Sequence, residues 1–323
     1  MRILFLRRCE KAVILPERKD VHTMELRHVL GNTWVAEANT ALLPVYKITE
    51  KDIVLIDTGY AKLDRSGLTA MIEDNGFHLR GVICSHAHFD HSGNVRYLQQ
   101  RCGARAAAHI IEAGISVNPD AYRANYVALT YGKSREYFLE ECFVADAIIG
   151  PEDEYLDFCG VHFGILPLPG HSAGHIGVVT PDNVAYVGDC LLDQQQIDSA
   201  KLPTSMFIAR DLQSKAFLRQ TDYPAYIIAH KAVVTDKTEL DALVDSNSEF
   251  IHRKADELLE DLADGMTFSQ WIAAFCQRES IRTKNEFKFS IIERNFANFV
   301  DWLTDEGRVT VQREYCAKTY YHG

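Results

Sequence analysis

Apolar positions along this chain change rhythm more than once. Residues 33–36, 43–48 and 53–56 are short runs rich in Val, Ile, Leu and aromatics, and they predict antiparallel strands. Leu68, Met71 and Ile72, between Gly67 and Gly76, have helical spacing. Gly81-Val82-Ile83-Cys84 then reads as a short buried strand. A helix is predicted over 90–100, starting within or just after a cluster of histidines. Strands resume at 155–158, 161–166, 176–180 and 184–187, with Pro181-Asp182-Asn183 as a turn, and 226–229 is one more buried strand ending on a histidine. Beyond residue 235 the rhythm becomes that of amphipathic helices at 240–262, 268–276 and 287–303. Segments 308–311 and 317–321 can pair as a terminal hairpin. Three helices and a two-stranded wing are the order of a winged helix. The pattern predicts two domains, 1–235 and 236–323, with a mostly helical, tyrosine-bearing stretch at 118–148 inserted in the first as a candidate cap.

The strand at 81–84 runs into Ser85-His86-Ala87-His88-Phe89-Asp90-His91, an H-x-H-x-D-H arrangement. Two histidines two residues apart on extended chain project to one side and can share an ion, while Asp90 and His91, where the chain turns into a helix, can face a second. A lone histidine is more often a surface residue or a satisfied core residue. Several ionisable side chains packed beside a buried strand are different, because burying them without a compensating ion is costly. Imidazole with carboxylate suits zinc, iron or manganese.

H-x-H-x-D-H after an apolar strand resembles the signature of the metallo-β-lactamase superfamily, and four further segments resemble its other motifs in order: Leu55-Ile56-Asp57-Thr58-Gly59, Pro169-Gly170-His171-Ser172-Ala173-Gly174-His175, Tyr186-Val187-Gly188-Asp189 and Ile227-Ile228-Ala229-His230. The family usually has glycine beside the last histidine, whereas Ala229 and Lys231 flank it here. The resemblance implies an α/β fold, the four-layer αββα sandwich. It also implies two divalent metal ions, zinc first and iron or manganese next. His86, His88 and His171 would hold one ion, Asp90, His91 and His230 the other, and Asp189 would bridge them. Asp57 would support these ligands from behind, and Asp90 would double as a proton shuttle; His175, four residues after His171, reads as a supporting or structural residue rather than a ligand. The implied activity is hydrolysis of an ester-type bond in a small-molecule substrate by a metal-bridging hydroxide.

Thioesters and lactones lead the substrate classes. The third motif resembles the thioester hydrolases of the glyoxalase II group, and Asp189 argues against a true β-lactamase. Leu192 stands where acyl-homoserine lactonases commonly carry tyrosine. A mononuclear-iron persulfide dioxygenase and a phosphodiesterase are the alternatives on the same scaffold. Tyr122, Arg123, Tyr126 and Lys133 of the inserted stretch are candidate substrate contacts, the alternative being ordinary helix packing.

Composition narrows the setting. A net charge of −11 leaves no cationic excess for a phosphate backbone, and residues 241–323 carry 10 Lys and Arg against 15 Asp and Glu, so a nucleic-acid-binding wing is disfavoured and a lid or homodimer contact is favoured. Ile3-Leu4-Phe5-Leu6 is interrupted by Arg7-Arg8, short of the about 7–15 apolar residues of a secretory signal, and no run suits a membrane span. The eight cysteines form no C-x-x-C pair. Together these predict a cytoplasmic protein with reduced thiols.

Overall fold

The structure is a computed structural model that describes residues 24–125 and 129–323. Ile3–Leu6, Cys9 and Tyr126 lie outside the described residues. Two sheets face each other. The first runs in the order β1 (Leu26–Leu30), β2 (Thr33–Glu37), β3 (Leu42–Lys47), β4 (Asp52–Ile56), β5 (His78–Cys84), β6 (Arg105–His109) and β7 (Ala147–Ile149). The second contains β8 (Tyr155–Phe158), β9 (Val161–Pro167), β10 (Ile176–Val179), β11 (Val184–Tyr186), β12 (Ala225–Ile228) and β13 (Ala232–Val234), in the reverse spatial order.

Alternation along the strands explains the layering. In β12, Ile227 enters the core between the sheets with Val45, Leu55, Phe163 and Val178, whereas Tyr226 and Ile228 face Leu218, Leu240 and Val244 on the far side. Both faces are therefore covered, and the strands read as continuous apolar runs. Helices Val95–Cys102 and Ile110–Ser116 pack on the first sheet, and helices Ile208–Arg219 and Lys237–Glu260 lie on the second. This is the αββα sandwich.

Strand direction positions the site. β4 and β5 are parallel neighbours, as are β11 and β12, while β1 to β4 and the rest of the second sheet pair antiparallel. Asp57, His86, Asp189 and His230 all follow the carboxyl ends of these two parallel pairs. The Leu42 amide donates to the Ala229 carbonyl at 2.7 Å and ties the sheets together at that edge.

Downstream, helices Lys237–Glu260, Phe268–Arg278 and Glu286–Asp305 precede the antiparallel hairpin of β14 (Val309–Glu314) and β15 (Ala317–His322). Trp271, Phe275, Phe296 and Phe299 form their own core, which also takes in Ile208 of the preceding region. The 118–148 stretch differs from the expectation of one inserted cap. It contains helices Pro119–Asn125 and Tyr131–Phe138 but leads directly into β7, so its end is part of the first sheet. No helix among the described residues is long and apolar enough to cross a membrane.

Candidate metal centre

His86 and His88 lie just past the end of β5, and the chain then turns into the single helical turn Phe89–Ser92, which carries Asp90 and His91. Across the sandwich, the β9–β10 connection supplies His171, a short 3₁₀ turn at Gly188–Cys190 supplies Asp189, and the end of β12 supplies His230. Gly188 has φ +53°, and a Cβ there would lie 2.6 Å from His175 Nε2, so glycine lets the chain reach Asp189 close over that ring.

Two donor sets converge on Asp189. His86, His88, His171 and Asp189 form one group able to hold a metal, and Asp90, His91 and His230 form another. His88 Nδ1 and His171 Nε2 are 2.9 Å apart. Asp189 Oδ2 is 3.3 Å from both His171 Nε2 and His230 Nε2, and Asp189 Oδ1 is 3.2 Å from His91 Nε2. Donors about 2.0–2.1 Å from a tetrahedral zinc would stand about 3.3 Å from one another, which the three Asp189 separations match, while the His88–His171 pair is closer. His86 Nε2, His91 Nε2 and Asp189 Oδ1 are buried and make no hydrogen bond. Buried polar atoms left this way cost free energy unless a further atom satisfies them, and a cation among them would do so.

The opposite ring nitrogens are anchored. His86 Nδ1 meets Ser85 Oγ at 2.9 Å, His91 Nδ1 meets Asp57 Oδ2 at 2.8 Å, and the carbonyls of Thr204 and Thr40 receive His171 Nδ1 at 2.9 Å and His230 Nδ1 at 2.8 Å. Such bonds fix tautomer and ring direction. Asp57, fully buried with φ +61°, also accepts from the Ser85 amide, Ser85 Oγ and Tyr186 Oη. His175 joins neither donor set; its Nε2 accepts from the Asp189 amide at 3.1 Å. Burial pushes the His175 imidazole down to about 3, which keeps it the neutral acceptor that this bond requires.

Glu112 was not legible as a site residue. Its buried carboxylate accepts from the Ala87 amide at 2.9 Å, Ser172 Oγ at 2.8 Å and the Gly174 amide at 2.7 Å, joining the loop of His86 and His88 to the loop of His171. Burial pushes its carboxyl up, against the pull of those three donors.

A cavity of about 330 Å³ opens beside the centre, lined by His88, Asp90, His171, Asp189 and His230 and, from the downstream helices, Phe250, Ile251 and Ile291. The candidate substrate contacts lie elsewhere. Tyr122 is buried, donates to the Ala87 carbonyl at 3.0 Å and stacks on Phe138; Arg123 donates to the Leu129 carbonyl; Lys133 pairs with Glu136 at the surface. None of the three lines this cavity, because packing and local partners claim their polar groups.

Comparison with known proteins agrees with this geometry. The sequence model of the metallo-beta-lactamase superfamily matches residues 42–241, and the chain belongs to that superfamily. It is 30% identical over 145 residues to hydroxyacylglutathione hydrolase GloC of Haemophilus influenzae, covering 44% of this chain and 62% of that protein. A hydroxyacylglutathione hydrolase of Shewanella pealeana is 28% identical over 113 residues, covering 35% of this chain and 33% of that one. The chain thus spans less than two thirds of either relative. Among solved structures, a beta-lactamase domain protein from Burkholderia ambifaria superposes with TM-score 0.69 at 14% identity, covering 95% of this chain and 97% of that one. A metallo-beta-lactamase family protein from Thermus thermophilus gives 0.67 at 17% identity, covering 88% and 94%. These two support the fold.

Proposed function

We propose that the chain is a binuclear metal-dependent hydrolase acting on a small-molecule thioester. The observation that carries the reading is that both donor sets reach the one carboxylate of Asp189. His86, His88 and His171 would hold one ion, Asp90, His91 and His230 the other, and Asp189 both. Zinc fits this nitrogen and oxygen set at near-tetrahedral spacing. Bound divalent ions supply Lewis acidity at a scissile carbonyl and bring the pKa of water toward neutrality, from about 9 on a single aqueous zinc.

The chain's own residues do the rest. Asp57 and Ser85 hold the imidazoles of His91 and His86 with Nε2 turned inward. Asp90 keeps 26% of its side chain exposed and presents Oδ2 3.9 Å from His91 Nε2, so Oδ1 serves to carry a proton to the departing thiol. Buried walls exclude bulk water, which strengthens every charge interaction inside. The region 236–323 forms a second domain whose helices wall the cavity. The thioester assignment rests on the P-G-H-S-A-G-H motif and on the names of the two curated relatives.

Elemental analysis of the full chain purified without added metal, together with a panel of S-acyl thioesters, lactones and phosphodiesters, tests the reading. The expected result is about two ions per chain and turnover of thioesters. One iron per chain, oxygen uptake and no hydrolysis would overturn it in favour of an oxygenase.

A further inference from the structure

The cavity beside the metal centre contains one lysine. Lys215 sits on helix Ile208–Arg219 with its side chain only 5% exposed, and its ammonium donates to Asp211 Oδ1, one turn back, at 2.5 Å. Among the described residues that is the only hydrogen bond its Nζ makes. An ammonium carries three donors, and burying it with two of them unmatched costs free energy unless a further acceptor arrives. Helical i,i+4 pairing explains the Asp211 contact. It does not explain why a lysine is buried in the wall of this cavity, whose lining combines the metal-centre carboxylates Asp90 and Asp189 with an apolar stretch of Leu192, Leu202, Phe250, Ile251 and Ile291.

The pair is held rigidly against the centre. Gly170 has φ +145°, and a Cβ there would lie 2.3 Å from Asp211 Cα, so only glycine lets helix Ile208–Arg219 pack this tightly on the His171 loop. The Gly170 carbonyl accepts from the amides of Met206 and Phe207, and Ser214 Oγ donates to the Pro169 carbonyl at 2.7 Å. Helix and loop therefore move as one unit.

Taking the hydrolase reading as its basis, we propose that Lys215 is an anion-recognition subsite. It selects thioesters that carry a carboxylate beyond the scissile bond, with an apolar segment between the two lying along Leu192, Phe250 and Ile291. The substrate carboxylate would accept the ammonium's remaining protons and complete a carboxylate–ammonium–carboxylate bridge with Asp211.

The test compares the S-phenyl monothioester of adipate with S-phenyl thiohexanoate on the zinc-loaded full chain. The wild type is expected to prefer the acidic substrate at least tenfold in kcat/KM, mostly through KM, and Lys215→Met is expected to lower that preference at least tenfold. The double variant Lys215→Met/Asp211→Asn, which strands no buried charge, should give the same loss if the single variant folds poorly. Equal losses on both substrates, or none, would overturn the subsite while leaving the hydrolase reading intact. A second readout needs no turnover: calorimetric titration of the zinc-loaded chain with adipate should show at least tenfold weaker binding in the variant. Unchanged binding would refute the anchor. If the wild type cleaves no thioester yet Lys215→Met still weakens adipate binding, the subsite stands and the reaction assignment falls.

Discussion

The two donor sets that meet at Asp189 are built from the same residue types, yet they differ in depth and in charge. On the first side, burial pulls the imidazoles of His86, His88 and His171 below their ordinary value; repulsion among the neighbouring histidines adds to it at His86 and His88, while at His171 burial prevails over the opposing pull of Asp189 and Asp211. On the second side the shift reverses. Asp189 raises His230 to about 9, and His91 is raised despite the opposing effect of burial because Asp189 and Asp90 face it. Exposure follows the division in two of the three second-set residues, since Asp90 and His230 keep 26% and 15% of their side chains open while His91 is fully buried. The carboxylates make the difference: Asp57 bonds His91, and Asp90 stands beside it. At neutral pH the first set therefore presents neutral nitrogen donors, whereas in the second His230 carries a proton that an ion must displace.

Asp189 is the point at which the comparison can be broken. Replacing it with alanine removes the carboxylate common to both sets, so both ions should bind weakly and turnover should fall roughly 10³-fold, equivalent to about 4 kcal/mol of transition-state stabilisation. Elemental analysis beside kcat checks this. Two retained ions with near-normal kcat would mean that Asp189 is not shared.

Proton competition gives the next largest effect. Asp189 raises His230 to about 9, so below that pH an ion entering the second site must expel its proton. Affinity at the second site should rise about tenfold per pH unit and level off above about 9. The first site, whose imidazoles are already neutral, should stay flat between pH 6 and 8. Zinc titrations against a competing chelator at pH 6, 7 and 8 measure both slopes. Equal slopes would erase the distinction.

Which parts of this arrangement were readable in the sequence follows a physical division. The H-x-H-x-D-H cluster is local, a few residues at the end of an apolar strand, so residue type and spacing located it; the segments carrying Asp57, His171, Asp189 and His230 were singled out only by the family resemblance. The αββα layering followed from the resemblance that those motifs carry. The supports are not local: Tyr186 reaches Asp57 across 129 residues, His230 reaches Thr40 across 190, and Ser172 reaches Glu112 across 60. No spacing rule encodes such pairs. Strand β6 reads Arg-Ala-Ala-Ala-His and β7 has only three residues, too little apolar signal to mark either. Helix Ile208–Arg219 was missed for a different reason. Its inward face carries Asp211, Ser214 and Lys215 beside Leu218, so the polar residues that matter most there also hide the helical stripe.

The smallest expected effect sharpens the comparison, because it separates the two sets by how they are tethered. Glu112 grips the loops of His86, His88 and His171, which together make up the whole histidine complement of the first set, and it touches none of Asp90, His91 or His230. In Glu112→Gln the single amide oxygen can still accept from Ser172 Oγ and the Gly174 amide, as Oε1 does now. The new NH₂ group then faces the Ala87 amide, donor against donor. One buried bond becomes an unsatisfied pair at a cost of about 1–3 kcal/mol, and the loop of His86 and His88 loses its link to that of His171. First-site affinity should fall about tenfold, within the range seen when groups behind metal ligands are removed, while the second site shifts less. The chelator competition that yields the pH slopes reads both affinities in one experiment. A loss shared equally by the two ions would show that the sets respond as one unit through Asp189, and that their opposite protonation is a difference of charge alone.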